Sequence, residues 1–153
     1  MWLAQSKKTI SGWKMPIVRY AILVVLSHII ITGVHGIAHQ QLGISISDFQ
    51  SGYVFLVTLA APIVAAVMLL FLNKPKIQQG GAWLLLVSMI GSLLFGLVYH
   101  MLLPSSDNIF SVMHNFSLDS VVFTSTAILL VIVDGVGTWI GVRATRMVAK
   151  FMP

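Results

Sequence analysis

Cysteine and glutamate are both absent, and charge of either sign is scarce: only 8% of the 153 residues are Asp, Glu, Lys or Arg. Without cysteine there is no disulfide scaffold, CxxC redox motif, thiolate zinc site, iron–sulfur cluster or c-type haem attachment. Without glutamate, carboxylate chemistry falls to Asp48, Asp107, Asp119 and Asp134. A soluble domain carries about 25% charged residues. Here 58% are hydrophobic and the mean hydropathy is +0.96, too apolar to coat a water-soluble globule. That excludes an ordinary cytosolic enzyme, a disordered chain and a nucleic-acid binder. Serine-nucleophile motifs, phosphate loops, zincin signatures and dinucleotide fingerprints are missing as well.

What is present is long apolar runs. Crossing about 30 Å of hydrocarbon takes about 20 apolar helical residues. Four segments qualify, at about 20–39, 52–72, 82–103 and 120–142. The runs lack apolar/polar alternation, which excludes a β-barrel. The expected fold is all-α: a polytopic integral membrane protein with one domain, 1–153, built as a four-helix transmembrane bundle. Ser47 with Gln50 three residues later reads as a capping box opening the second span. The breaker-rich stretch 73–81, ending in Gly80-Gly81, reads as the link to the third. Residues 1–16, with Trp2 and Trp13 among Lys7, Lys8 and Lys14, read as an interfacial segment rather than a cleaved signal peptide.

The nine basic residues give a direction. Lys7, Lys8, Lys14 and Arg19 precede the first span, Lys74 and Lys76 join the second to the third, and Arg143, Arg146 and Lys150 follow the fourth. All fall at one end of a four-span chain, and the positive-inside bias makes that end cytoplasmic, with both termini. Loops 40–51 and 104–119, which hold Asp48, Asp107 and Asp119 but no Lys or Arg, lie on the outer face. The net charge of +5 is thus a topology label and a lipid-headgroup anchor. The implied partner is the bilayer, with a larger membrane complex or a homo-oligomer as further possibilities. Ser88/Ser92/Gly96 and Gly137-x-x-x-Gly141 are helix-contact signals, read as packing within one bundle.

The chemistry must rest on histidine. His28, His35 and His39 are separated by seven and four residues, which puts them within about 40° on one helix face. Histidine in a bilayer is costly, so that face looks into the bundle. In an up-down bundle the first and third spans are diagonal, so His35 and His39 meet His100 across the core. The three form a candidate transition-metal site, with His114 and Asp107 as further ligands and Asp48 peripheral. Imidazole suits copper, zinc and iron, and the nearby Met101 and Met113 tilt the choice toward copper. The alternative cofactor is haem b, held by His35 or His39 with His100 in an electron-transfer or anchor subunit. A third class is a non-catalytic accessory subunit in which the histidines are structural.

His28 and Asp134 lie deeper. Each is nine residues from a basic residue bordering its span, or about 13.5 Å along the helix. A carboxyl at that depth needs a partner or a proton. The first and last spans are neighbours in the bundle, so the sequence predicts a buried His28–Asp134 pair, with Ser27, Thr124 and Thr138 as secondary polar contacts.

Overall fold

The computed structural model describes residues 2–71, 74–114 and 116–149, with side chains from residue 16 onward. The described residues contain helices and connecting loops and no strands. Four helical stretches are long and apolar enough to cross a membrane: Pro16–Gln41, Asp48–Leu70, Pro75–Leu102 and Leu118–Ala149.

Helix α1, Trp2–Gln41, contains the first stretch. Of the segment expected at the interface, 1–16, residues 2–16 are helical backbone of α1; Met1 and the side chains of 2–15 lie outside the described residues. The second stretch opens with α2, Asp48–Tyr53, on the Ser47/Gln50 capping box: the Gln50 amide donates to Ser47 Oγ at 3.2 Å and the Ser47 amide to Gln50 Oε1 at 2.8 Å. It widens into a π-helical segment, Val54–Ala60, and ends as α3, Ala61–Leu70. The third stretch is α4, Pro75–Leu97, with a π-helical end at Val98–Leu102. A short α5, Ile109–Met113, sits in the following loop, and α6, Leu118–Ala149, closes the chain.

The third stretch starts seven residues earlier than expected. Pro75 suits a first helical turn because its missing N–H is an orphan there anyway, and Gly80-Gly81 lie inside α4. These glycines act by their size. A Cβ at Gly81 would come within 2.8 Å of Met68 Cβ and 3.0 Å of the Ala65 carbonyl oxygen, so α3 closes directly onto α4. The same device joins α4 to α6, because a Cβ at Gly141 would lie 2.8 Å from Leu86 Cα and one at Gly137 2.6 Å from Met89 Sδ. The Gly137/Gly141 pair thus packs within the bundle.

The most extensive packing is α4 on α6, followed by α1 on α6 and α3 on α4, whereas α1 touches α3 sparsely. The bundle is closed on three sides and loose on the fourth, between the first and second spans. One apolar core gathers Val18, Leu69, Ala82, Ala144 and their neighbours at the end carrying Arg19, Lys74 and Arg143. A smaller one, Ala38, Ile109, Phe123 and Ala127, lies at the opposite end. The functional side chains sit between and beside these cores. On the outside, Leu23, Leu26, Ile30, Val34 and Ile37 of α1 form an exposed apolar stripe, the inverse of a soluble helix.

Candidate metal centre

Three imidazoles meet at the end of the bundle remote from the basic residues. His35 and His39 come from consecutive turns of α1, and His100 from the π-helical end of the third span. One ring nitrogen from each lies within 4.8 Å of those of the other two. The rings are in edge contact, with centroids 4.9 Å apart for His35–His39 and 4.8 Å for His35–His100. Phe123 of α6 backs the group, 4.6 Å from His35 and 5.0 Å from His39.

The hydrogen bonds assign the protons. Thr126 Oγ1 lies 2.7 Å from the Val122 carbonyl, 3.0 Å from that of Phe123 and 2.9 Å from His35 Nδ1. The hydroxyl has one proton, and the carbonyls can only accept it. Its contact with His35 is therefore as acceptor, from Nδ1–H. That leaves His35 Nε2 with a lone pair, buried and without a hydrogen-bond partner. His100 Nδ1 donates to Asp107, lying 3.0 Å from its main-chain oxygen and 3.0 Å from Oδ1. His39 Nε2 is 3.0 Å from the same Oδ1, and its Nδ1 is buried without a partner. Each ring thus has one nitrogen facing an acceptor, and those of His35 and His39 that remain are buried without a partner. This is the pattern by which outer acceptors orient imidazoles toward a metal ion.

Asp107 stands in the loop after the third span. Burial pushes its carboxyl up, but hydrogen bonds from His100 and His39 outweigh that and hold it at about 2, below the ordinary 3.8. The loop is fastened by Asn108, whose Nδ2 donates to the Leu103 carbonyl at 2.9 Å and whose Oδ1 accepts from the Phe110 amide at 2.9 Å. His114 is exposed at the end of α5, outside the three-histidine group, and Asp48 is exposed in the first turn of α2. Met101 packs against the small apolar core, and Met113 is partly exposed.

Deeper in the bundle, His28 Nδ1 lies 2.7 Å from Asp134 Oδ1, with side-chain exposures of 0% and 4%. His28 Nε2 lies 2.8 Å from the Thr58 carbonyl oxygen. The second contact is therefore main chain from the second span, rather than the hydroxyl of Ser27, Thr124 or Thr138. Thr58 lies in the π-helical segment, and the α-helix that follows carries Pro62 in its first turn. In α-helical register the amide of residue 62 would bond the carbonyl of residue 58, and proline has no N–H. Since a carbonyl can only accept, Nε2 carries a proton. Nδ1 and Oδ1 at 2.7 Å must then share one further proton: none would oppose two lone pairs, and two would oppose two donors. The pair is neutral as a unit.

A cavity of about 600 Å³ runs beside both groups, lined by His35, His39, His100 and Asp107 at one end and by His28 and Asp134 at the other. Sequence reasoning missed Thr126, Phe123 and the Thr58 carbonyl. Of these only the last left a signal, in the Thr-x-x-x-Pro spacing. No family model, curated protein or solved structure matches the chain.

Proposed function

We propose that the chain is a membrane metalloprotein in which His35, His39 and His100 hold one transition-metal ion, positioned by Asp107 and Thr126. The observation that carries the reading is the convergence of three imidazoles, two of which keep a buried nitrogen without a partner. A tetrahedral zinc ion about 2.0–2.1 Å from each nitrogen would draw the ligands to roughly 3.4 Å of one another, a modest closure of the present group. The donors are imidazole nitrogens, which suit zinc, copper and iron. The sulfur argument for copper weakens with Met113 partly exposed and Met101 packed in the apolar core. Asp107 fits an orienting acceptor better than a ligand, because its Oδ1 already serves two rings. His114, exposed, is the least favoured of the ligands considered.

The positive-inside bias supports a cytoplasmic basic end with both termini, and hence a metal site near the outer face, where loops 40–51 and 104–119 lie. The cavity alongside supports a working site, either for metal handling or for metal-centred redox chemistry, over a purely structural ion. Haem b is the second reading, favoured by the size of that cavity. Against it, the edge contacts between His35 and His100 leave no gap for a macrocycle between them. Elemental analysis and an absorption spectrum of the purified protein test both. One equivalent of metal without a Soret band is expected. A Soret band would establish haem, and absence of both would favour an accessory subunit in a larger complex.

A further inference from the structure

The cavity has a mouth, and it opens toward lipid. Its walls come from α1 on one side (Thr32, Gly33, Gly36) and the second span on the other (Val54, Thr58, Leu59). These are the two elements that pack loosely. Gly33 and Gly36 are exposed, yet they lie within the apolar part of the first span. An opening at that depth faces the bilayer, and the lining continues to Gln40, Ile46 and Gln50 at the loop end.

Two features describe what the cavity would hold. First, Gly33 and Gly36 face open space, with nothing within 4 Å of where a Cβ would stand. Gly81, Gly137 and Gly141 each admit a neighbouring helix, but these two admit nothing from the protein itself. They leave bare backbone along which a flat group can lie. Second, Ser92 and Thr58 line the cavity, and their hydroxyl oxygens are buried in its wall without a hydrogen-bond partner, a side-chain rotation away from an occupant. Ser92 is eight residues before His100, about 12 Å deeper along the helix. Hydroxyls left unpaired at such depth are costly. An acyl chain offers them nothing, and a phospholipid headgroup cannot descend so far. A ring bearing oxygens on an apolar body meets both demands.

We infer that this cavity binds a lipid-soluble quinone or quinol, which enters between the first and second spans. Its ring lies over Gly33 and Gly36, an oxygen is hydrogen-bonded by Ser92 and Thr58, and its tail trails into the bilayer. The apolar lining with a few convergent polar groups is that of a ligand pocket. The site stands on the cavity and its hydroxyls, and does not depend on the metal reading.

The test uses the full chain, stripped of metal with a chelator and held in phosphatidylcholine nanodiscs, with a decyl-substituted benzoquinone as probe. Saturable binding at one equivalent is expected. Ser92→Ala should weaken it roughly tenfold through loss of a hydrogen bond. Gly33→Leu, which fills the mouth, should abolish it. Gly135→Leu, whose side chain also meets open space on α6, should leave it unchanged. No saturable binding would overturn the inference, as would a Soret band showing haem in the cavity. Displacement of the probe by decanol at equal concentration, with Ser92→Ala indistinguishable from wild type, would identify a plain alkyl occupant and overturn it too.

Discussion

The Thr58 carbonyl accepts a hydrogen bond from His28 Nε2 at 2.8 Å. A main-chain oxygen of one span thus sets the tautomer of a histidine in another. If Pro62→Ala lets the π-helical segment revert to α register, the new N–H should compete with His28 for the Thr58 carbonyl. The ¹⁵N resonances of the His28 ring should move, while those of His35, His39 and His100 stay in place. Unchanged His28 resonances would show that the carbonyl is not shared in this way.

Asp134 tests the proton it shares with His28. Removing one partner of a buried pair costs about 3–5 kcal/mol, so Asp134→Ala should lose most of the bundle's stability in detergent unfolding. Asp134→Asn should cost much less, because its amide N–H can donate to the His28 Nδ1 lone pair while Nε2–H stays on the carbonyl. Equal losses for the two variants would mean that side-chain shape, not the shared proton, holds the contact. If the pair also relays protons, any metal-dependent activity should fall in Asp134→Asn even where folding is intact.

Metal retention should sort the histidines. His35→Ala, His39→Ala and His100→Ala should each release the ion during purification, read by elemental analysis, while His114→Ala keeps a full equivalent. Asp107→Asn should retain metal with about 10–100-fold lower affinity, the usual effect of losing an outer acceptor. Acidification should release the ion as well, because protons compete for the imidazole lone pairs.

In metal-free protein the Asp107 carboxyl should titrate at about 2, below its ordinary 3.8, followed by its ¹³C resonance. A carboxyl held low stabilises the docked loop at every pH above its ordinary value. That contribution fades as the pH falls toward 2. In the His39→Ala/His100→Ala double variant only burial remains, and the midpoint should rise above 3.8. A midpoint unmoved by the double variant would contradict the two-ring assignment.

Close packing gives the last contrast. Gly141→Ala would place a Cβ 2.8 Å from Leu86 Cα, and backbone cannot step aside as a flexible side chain can. A loss of about 1–3 kcal/mol is expected from such overpacking. Gly135→Ala, facing open space, should be neutral or mildly stabilising. Equal effects at the two positions would argue against direct contact between α4 and α6 there.

The four spans were legible because hydrocarbon thickness imposes a length that continuous apolar runs reveal directly. The capping box at Ser47 and Gln50 was legible because it is local. Gly80-Gly81 was not: a glycine that breaks a helix and one that admits a neighbouring helix look alike until the neighbour is known. The convergence of His35, His39 and His100 could be expected from helical angle and bundle order. The acceptors that fix their tautomers could not. Thr126 is ninety-one residues from its imidazole, and the two oxygens that hold His100 belong to a loop whose path depends on Asn108. Spacing could nominate Asp107 for the site, but only the fold brings one oxygen within reach of two rings.

The neutrality of the His28–Asp134 unit also bears on the membrane's electric field. A single charge carried across 100 mV changes energy by about 2.3 kcal/mol. With Arg19 and Arg143 at one end of the bundle and one proton shared between His28 and Asp134, the middle of this bundle presents no net charge on which a voltage would act. Set in a bilayer, such a bundle would keep an acid and a base far from water without offering a voltage a net charge to move.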